Sequence, residues 1–108
     1  MKPNTPTKAR GLTIARRLKE RCIAQGIPVE NVYLFGSLAT GAMHRWSDVD
    51  IAIVYKPFAA LRGQERRRIR ALREDFDVPM DILCLRSEDM ANDYVGIARE
   101  VQEKGIPV

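Results

Sequence analysis

Cysteine and long apolar runs are both scarce in this sequence. Only two cysteines occur in 108 residues, Cys22 and Cys84, and they are far apart. They lack the paired spacing of a zinc site and the density of a disulfide scaffold, so both are expected to be reduced and packed. No apolar run approaches the length needed to span a bilayer, and the opening MKPNTPTKAR has no signal-peptide hydrophobic region. The expected address is the cytoplasm, with no membrane partner. Repeats, low-complexity tracts and internal linkers are missing as well, so one domain over residues 1–108 with one core is expected.

What is present is ordinary globular material, 45% hydrophobic and 30% charged, without the charge imbalance that marks disorder. Lys+Arg number 18 against 14 Asp+Glu, a formal net charge of +4. That mild basicity suits anionic ligands but does not choose among nucleotide, nucleic acid and acidic protein.

Thr5 before Pro6 reads as a helix N-cap with proline at the first helical position. Ile14, Leu18 and Cys22 then recur at helical spacing up to a stop near Gly26. "NVYLF" reads as a buried strand ending at Gly36, and Ser37 to Met43 has room for about two helical turns. "SDVDIAIVY" is the clearest strand. "FAALRGQERRRIRALRED" follows as an amphipathic helix with Leu61, Ile69, Leu72 and Phe76 facing the core, and its arginines at 66, 67, 68, 70 and 73 form a solvated face. "VPMDILCL" is a third strand after Pro79. Ser87 then caps a last helix carrying Met90, Tyr94, Ile97 and Val101, and "GIPV" frays at the end. This alternation predicts an α/β (α+β) fold, a small mixed sheet of about three strands flanked by helices.

Two aspartates open the second strand. Alternation along a strand puts Asp48 and Asp50 on one face with Ala52 and Val54, and Val49, Ile51 and Ile53 on the other. Carboxylates one pleat apart repel unless a cation lies between them, and hard divalent ions favour such oxygen ligands. Upstream, Gly36 permits a tight strand-to-helix turn where backbone amides and the Ser37 hydroxyl can hold phosphate. Downstream, Asp81 begins another apolar strand with Leu83 and Leu85 on its own face, and is preferred over Asp77, which lies outside the apolar run. Three carboxylates from two strands could hold a pair of cations that activates an attacking oxygen and stabilises a leaving group.

"GSLATGAMHRWSDVD" places ten residues between Gly36-Ser37 and Asp48-Val49-Asp50. With "VYLF" before it, Ala39, Gly41 and Ser47 within it and "MDILCL" after it, the pattern resembles the minimal nucleotidyltransferases of the DNA polymerase β-like superfamily. The resemblance implies that Asp48 and Asp50 bind two Mg²⁺ ions. It assigns Asp81 to the acceptor-side metal or to general base, and Gly36 and Ser37 to the β- and γ-phosphates of a nucleoside triphosphate. Thr40 stands where relatives frequently have arginine, which makes Arg45 the nearest substitute cation. Trp46 shares that loop and can stack or simply pack, and the single histidine, His44, is expected at the loop surface. Stand-alone chains of this kind resemble the antitoxins of HEPN/MNT toxin-antitoxin pairs. The resemblance therefore implies AMP transfer from ATP to a tyrosine of a HEPN toxin partner, as a hetero-complex or homo-oligomer. Two alternatives stay open: a non-catalytic binding antitoxin, and a subunit acting on a small molecule or RNA.

Overall fold

The structure is a computed structural model that describes residues 7–36, 39, 49–91 and 96–108. Helix α1 runs over Lys8–Ala24. Its cap is Thr7, whose hydroxyl oxygen accepts from the Arg10 amide at 3.1 Å, so the helix described here starts two residues later than a Thr5 cap would place it. The far end closes as a Schellman turn. The Ile27 amide donates to the Cys22 carbonyl and the Gly26 amide to that of Ile23, both at 3.0 Å, with Gly26 at φ +76°. Ile14, Ala15, Leu18 and Cys22 form its buried stripe, as the helical spacing predicts.

Strands β1 (Val29–Phe35), β2 (Val49–Tyr55), β3 (Met80–Arg86) and β4 (Ile106–Pro107) form one mixed sheet in the order β3-β2-β1-β4. β1 is antiparallel to both β2 and β4, whereas β2 and β3 are parallel. A parallel pair needs a crossover, and helix α2 (Arg62–Ala71) supplies it, continued by a 3-10 turn over Leu72–Asp75. A fourth strand of two residues joins the three that the sequence predicts. "GIPV" does not fray: Ile106 and Pro107 pair with Leu34 and Tyr33, and the Val108 amide donates to the Val32 carbonyl at 2.9 Å.

One face of the sheet carries Val32, Leu34, Val49, Ile51, Ile53, Met80, Ile82 and Cys84, packed against α1, Ile69 and Leu72. On the opposite face, the cover among the described residues lies at one end. There Val54 and Leu85 meet Ala98 of helix α4 (Gly96–Lys104), and Met90 of the short helix α3 (Ser87–Met90) packs beside them. The other end of that face is where Asp50 and Asp81 stand. The expected long last helix is described as these two pieces, and Tyr94 lies outside the described residues. Ser87 is not the cap: Arg86 occupies that position, its amide bonded to the Asp89 carboxylate at 2.8 Å.

α2 departs from the predicted pattern in an informative way. Leu61 is 64% exposed, and the fully buried position one turn on is Glu65. A buried carboxylate must find partners. Glu65 accepts from the Arg86 Nε at 2.8 Å, the Tyr55 hydroxyl at 3.3 Å and the Phe58 and Ala59 amides at 2.7 and 3.2 Å. Burial pushes its carboxyl up, and the Arg86 hydrogen bond with the two amides outweighs that, leaving it below the usual range. The cluster ties the end of β2, the start of α2 and the end of β3 together.

Candidate active site

β1 ends at Phe35, the register partner of Asp50. The next residue is Gly36, at φ +73°, in the left-handed region where a side chain costs about 1–2 kcal/mol. Space is the second reason for glycine. A Cβ there would collide with the Asp50 carboxylate, 2.9 Å from Cγ, and would stand only 3.1 Å from Asp50 Cβ. The turn backbone is thus laid directly on the carboxylate.

Asp50 and Asp81 are register partners on the parallel strands β2 and β3. Neighbouring strands lie about 4.8 Å apart, so the two side chains leave the same face side by side. At that spacing two negative charges repel by about 1 kcal/mol in bulk water and about 3 kcal/mol at an effective dielectric of 20. A cation bound between them turns this repulsion into binding energy. Each aspartate keeps the company that alternation predicts: Asp50 shares its face with Ala52 and Val54, and Asp81 with Leu83 and Leu85.

The two carboxylates open into a cleft of about 500 Å³. Phe35, Leu83 and Ile97 supply apolar wall, and Arg70 and Arg73 supply positive charge. These arginines were read from sequence as part of a solvated helix face, and that reading missed their position. The residues after α2 lead straight into the start of β3, so the end of the helix must lie near Asp81. A pattern of arginines at 66, 70 and 73 on one side of a crossover helix was the available signal. Arg70 also donates through Nε and an Nη to the Ile82 carbonyl of β3, at 3.4 Å.

Asp48, Ser37, Arg45, Trp46 and His44 lie outside the described residues. Among the described residues no three His, Cys, Asp or Glu side chains form a metal-holding group; the expected third carboxylate is Asp48. The oxygen-only donors Asp50 and Asp81 fit a hard ion such as Mg²⁺. Asp77 lies elsewhere, against Arg10, Thr13 and Arg17 of α1 in a depression of about 180 Å³. Cys22 and Cys84 are free and buried. Burial raises both thiols, to about 11, which favours the protonated form at neutral pH. No helix among the described residues is long and apolar enough to cross a membrane.

Adjacent carboxylates at two strand starts, under a glycine turn, suit cations and phosphate esters, the chemistry of phosphoryl transfer. The chain belongs to the nucleotidyltransferase domain family, whose model matches residues 15–107. No match is found among curated proteins. Of the solved structures, a candidate nucleotidyltransferase from Sulfolobus solfataricus is 22% identical with a TM-score of 0.67, over 93% of this chain and 80% of that one. A toxin-antitoxin structure with AMP-PNP is 24% identical with a TM-score of 0.58, over 84% of this chain and 69% of that one. A tyrosine-to-alanine mutant of the toxin-antitoxin MntA-HpeT is 20% identical with a TM-score of 0.60, over 86% and 69%. These likenesses show a shared fold.

Proposed function

We propose that this chain, as a single minimal nucleotidyltransferase domain over residues 1–108, acts in the cytoplasm as an antitoxin. It transfers AMP from ATP to a tyrosine hydroxyl of a HEPN-family toxin. The observation that carries the reading is the register pairing of Asp50 with Asp81 under the Gly36 turn. The toxin-antitoxin neighbours, one of them with AMP-PNP, support the choice of nucleotide and partner. A further MntA-HpeT mutant has two aspartates, two positions apart, changed to glutamate, the spacing of Asp48 and Asp50 here.

In this reading Asp48 and Asp50 hold two Mg²⁺ ions, with Asp81 on the acceptor side. Bound there, the ions would neutralise phosphate charge and make the acceptor hydroxyl easier to deprotonate. Gly36 and Ser37 present amides and a hydroxyl to the β- and γ-phosphates, with Arg45 as added charge. Asp81 accepts the proton of the tyrosine hydroxyl as its oxygen attacks the α-phosphorus. The bond to the bridging oxygen breaks, and pyrophosphate leaves.

Intact mass of a HEPN partner, measured after incubation with this chain, Mg²⁺ and ATP, tests the reading. One added AMP is expected, and Asp81→Asn should slow its appearance by on the order of 10²- to 10⁴-fold. An unchanged partner mass in a stable complex would sink transfer and leave neutralisation by docking.

A further inference from the structure

Arg70 and Arg73 are exposed, yet both line the cleft that holds Asp50 and Asp81. Among the described residues neither has a carboxylate within the 4.0 Å of an ion pair. Arg62 bonds Asp89 at 2.7 Å, and Arg68 lies 5.3 Å from the Phe58 ring centroid and donates to the Gln25 carbonyl at 3.1 Å; Arg66 and Arg67 are exposed like Arg70 and Arg73, but only the latter two line the cleft. Arg70 is held in place by the Ile82 carbonyl, with its guanidinium on the wall of the cleft.

Position decides what these charges serve. Across the sheet the order is Gly36 after β1, Asp50 on β2, Asp81 on β3, and then the arginines, since β3 is the edge strand. Two strand spacings, about 10 Å, separate the Gly36 turn from β3. The arginines stand on the far side of Asp81 from the Gly36 turn, the side from which the acceptor enters in the reading above. Beside them the cleft offers Leu83 and Ile97, the latter 40% exposed.

We propose that Arg70 and Arg73 form the acceptor-docking edge of the site, receiving acidic side chains of a protein segment that flanks the modified hydroxyl. This rests on the transfer reading above and specifies the chemistry of its substrate. A nucleic-acid acceptor fits less well. Its phosphates want a continuous basic track, and this cleft interrupts one with Asp50 and Asp81 and pairs its two arginines with aliphatic surface. An acidic peptide needs only two cations at the edge and an apolar contact beside them.

The test uses fluorescent peptides with a central tyrosine flanked by glutamates or by glutamines, titrated with Mg²⁺ and an ATP analogue blocked at the α–β bond. Two exposed charge pairs amount to about tenfold in affinity, so the glutamate peptide should bind about tenfold tighter at low salt. In Arg70→Gln/Arg73→Gln that preference should vanish while analogue affinity stays within about twofold, and Arg70→Lys/Arg73→Lys should keep part of it. Thermal melts of both variants, expected within a few degrees of wild type for exposed positions, check that the fold is intact. An undiminished preference in the glutamine variant overturns the proposal. So does loss of analogue affinity with the preference retained, which would assign the arginines to the triphosphate. Tighter, arginine-dependent binding of an oligouridylate would overturn it in favour of RNA. Because binding is read without transfer, arginine-dependent docking with no AMP incorporation in the mass assay would sink the transfer reading and leave the docking edge standing.

Discussion

Replacing Gly36 with alanine is expected to reduce nucleotidyl transfer by on the order of 10³-fold, about as much as removing a preorganised group at the reacting centre. The methyl group would occupy the place of the Asp50 carboxylate, and the contact of 3.1 Å to Asp50 Cβ means that a simple rotation of the carboxylate does not relieve all of it. Asp50 must turn away or the β1–β2 pair must part. Either response moves the carboxylate proposed to hold metal, and a misplacement of about 1 Å at a reacting centre can cost about 10²-fold by itself. The backbone strain of the left-handed conformation adds about 1–2 kcal/mol to folding, a loss of several degrees in melting temperature for a domain of this size. Activity per folded molecule, with Asp50→Ala as the reference for full loss, separates the two effects. Wild-type turnover in a folded Gly36→Ala would show that the carboxylate is not where the chemistry needs it.

Glu65→Ala should produce the largest loss of stability, about 3–5 kcal/mol, because it breaks a buried ion pair and leaves the other charge behind. Arg86 would lose its 2.8 Å partner with its side chain only 15% exposed, and the Tyr55 hydroxyl and two amides would lose their acceptor. Chemical denaturation of wild type and variant measures this directly. A change below about 1 kcal/mol would mean that the cluster behaves like a surface pair. The same groups set an acid limit. Glu65 is held below its ordinary 4.5 as described above, and the Arg62 hydrogen bond, opposed by burial, holds Asp89 below 3.8. Carboxyls depressed in the folded state add stability that is fully present above those ordinary values and is lost as pH falls through the folded ones. Stability should therefore be flat near neutrality and fall below about pH 4, and Glu65→Ala should flatten part of that fall.

Strands and carboxylate placement were readable because period-2 patterns leave few choices. Once "SDVDIAIVY" and "MDILCL" are strands joined by a helix, Asp50 and Asp81 must open the same end of a parallel pair, and they do. Gly36 was legible as a turn residue, but its contact with Asp50 depends on the β1–β2 register. Glu65 was illegible for a physical reason. An apolar residue is the default buried side chain, and the partners that make a buried carboxylate tolerable come from β2, β3 and the loop before α2. β4 was missed because two residues with a proline carry no strand pattern; only the edge of β1 makes them one. The roles of Asp48, Asp50, Asp81, Gly36, Ser37 and Arg45 are proposals throughout; for Asp50, Asp81 and Gly36 the structure adds their juxtaposition, and for Asp48, Ser37 and Arg45 the support is spacing and resemblance.

The two edges of the sheet are closed in different ways, and this limits how another chain can join it. At one edge the outermost strand is two residues long and contains Pro107, which has no amide hydrogen to donate. At the other, Arg70 already occupies the Ile82 carbonyl of β3. Lateral growth by strand addition, the usual route from an exposed β-edge to intermolecular sheets, is blunted on both sides. Strand addition is therefore disfavoured at both described edges, and in the reading proposed above a partner meets side chains over the Asp50–Asp81 end of the face instead of adding a strand.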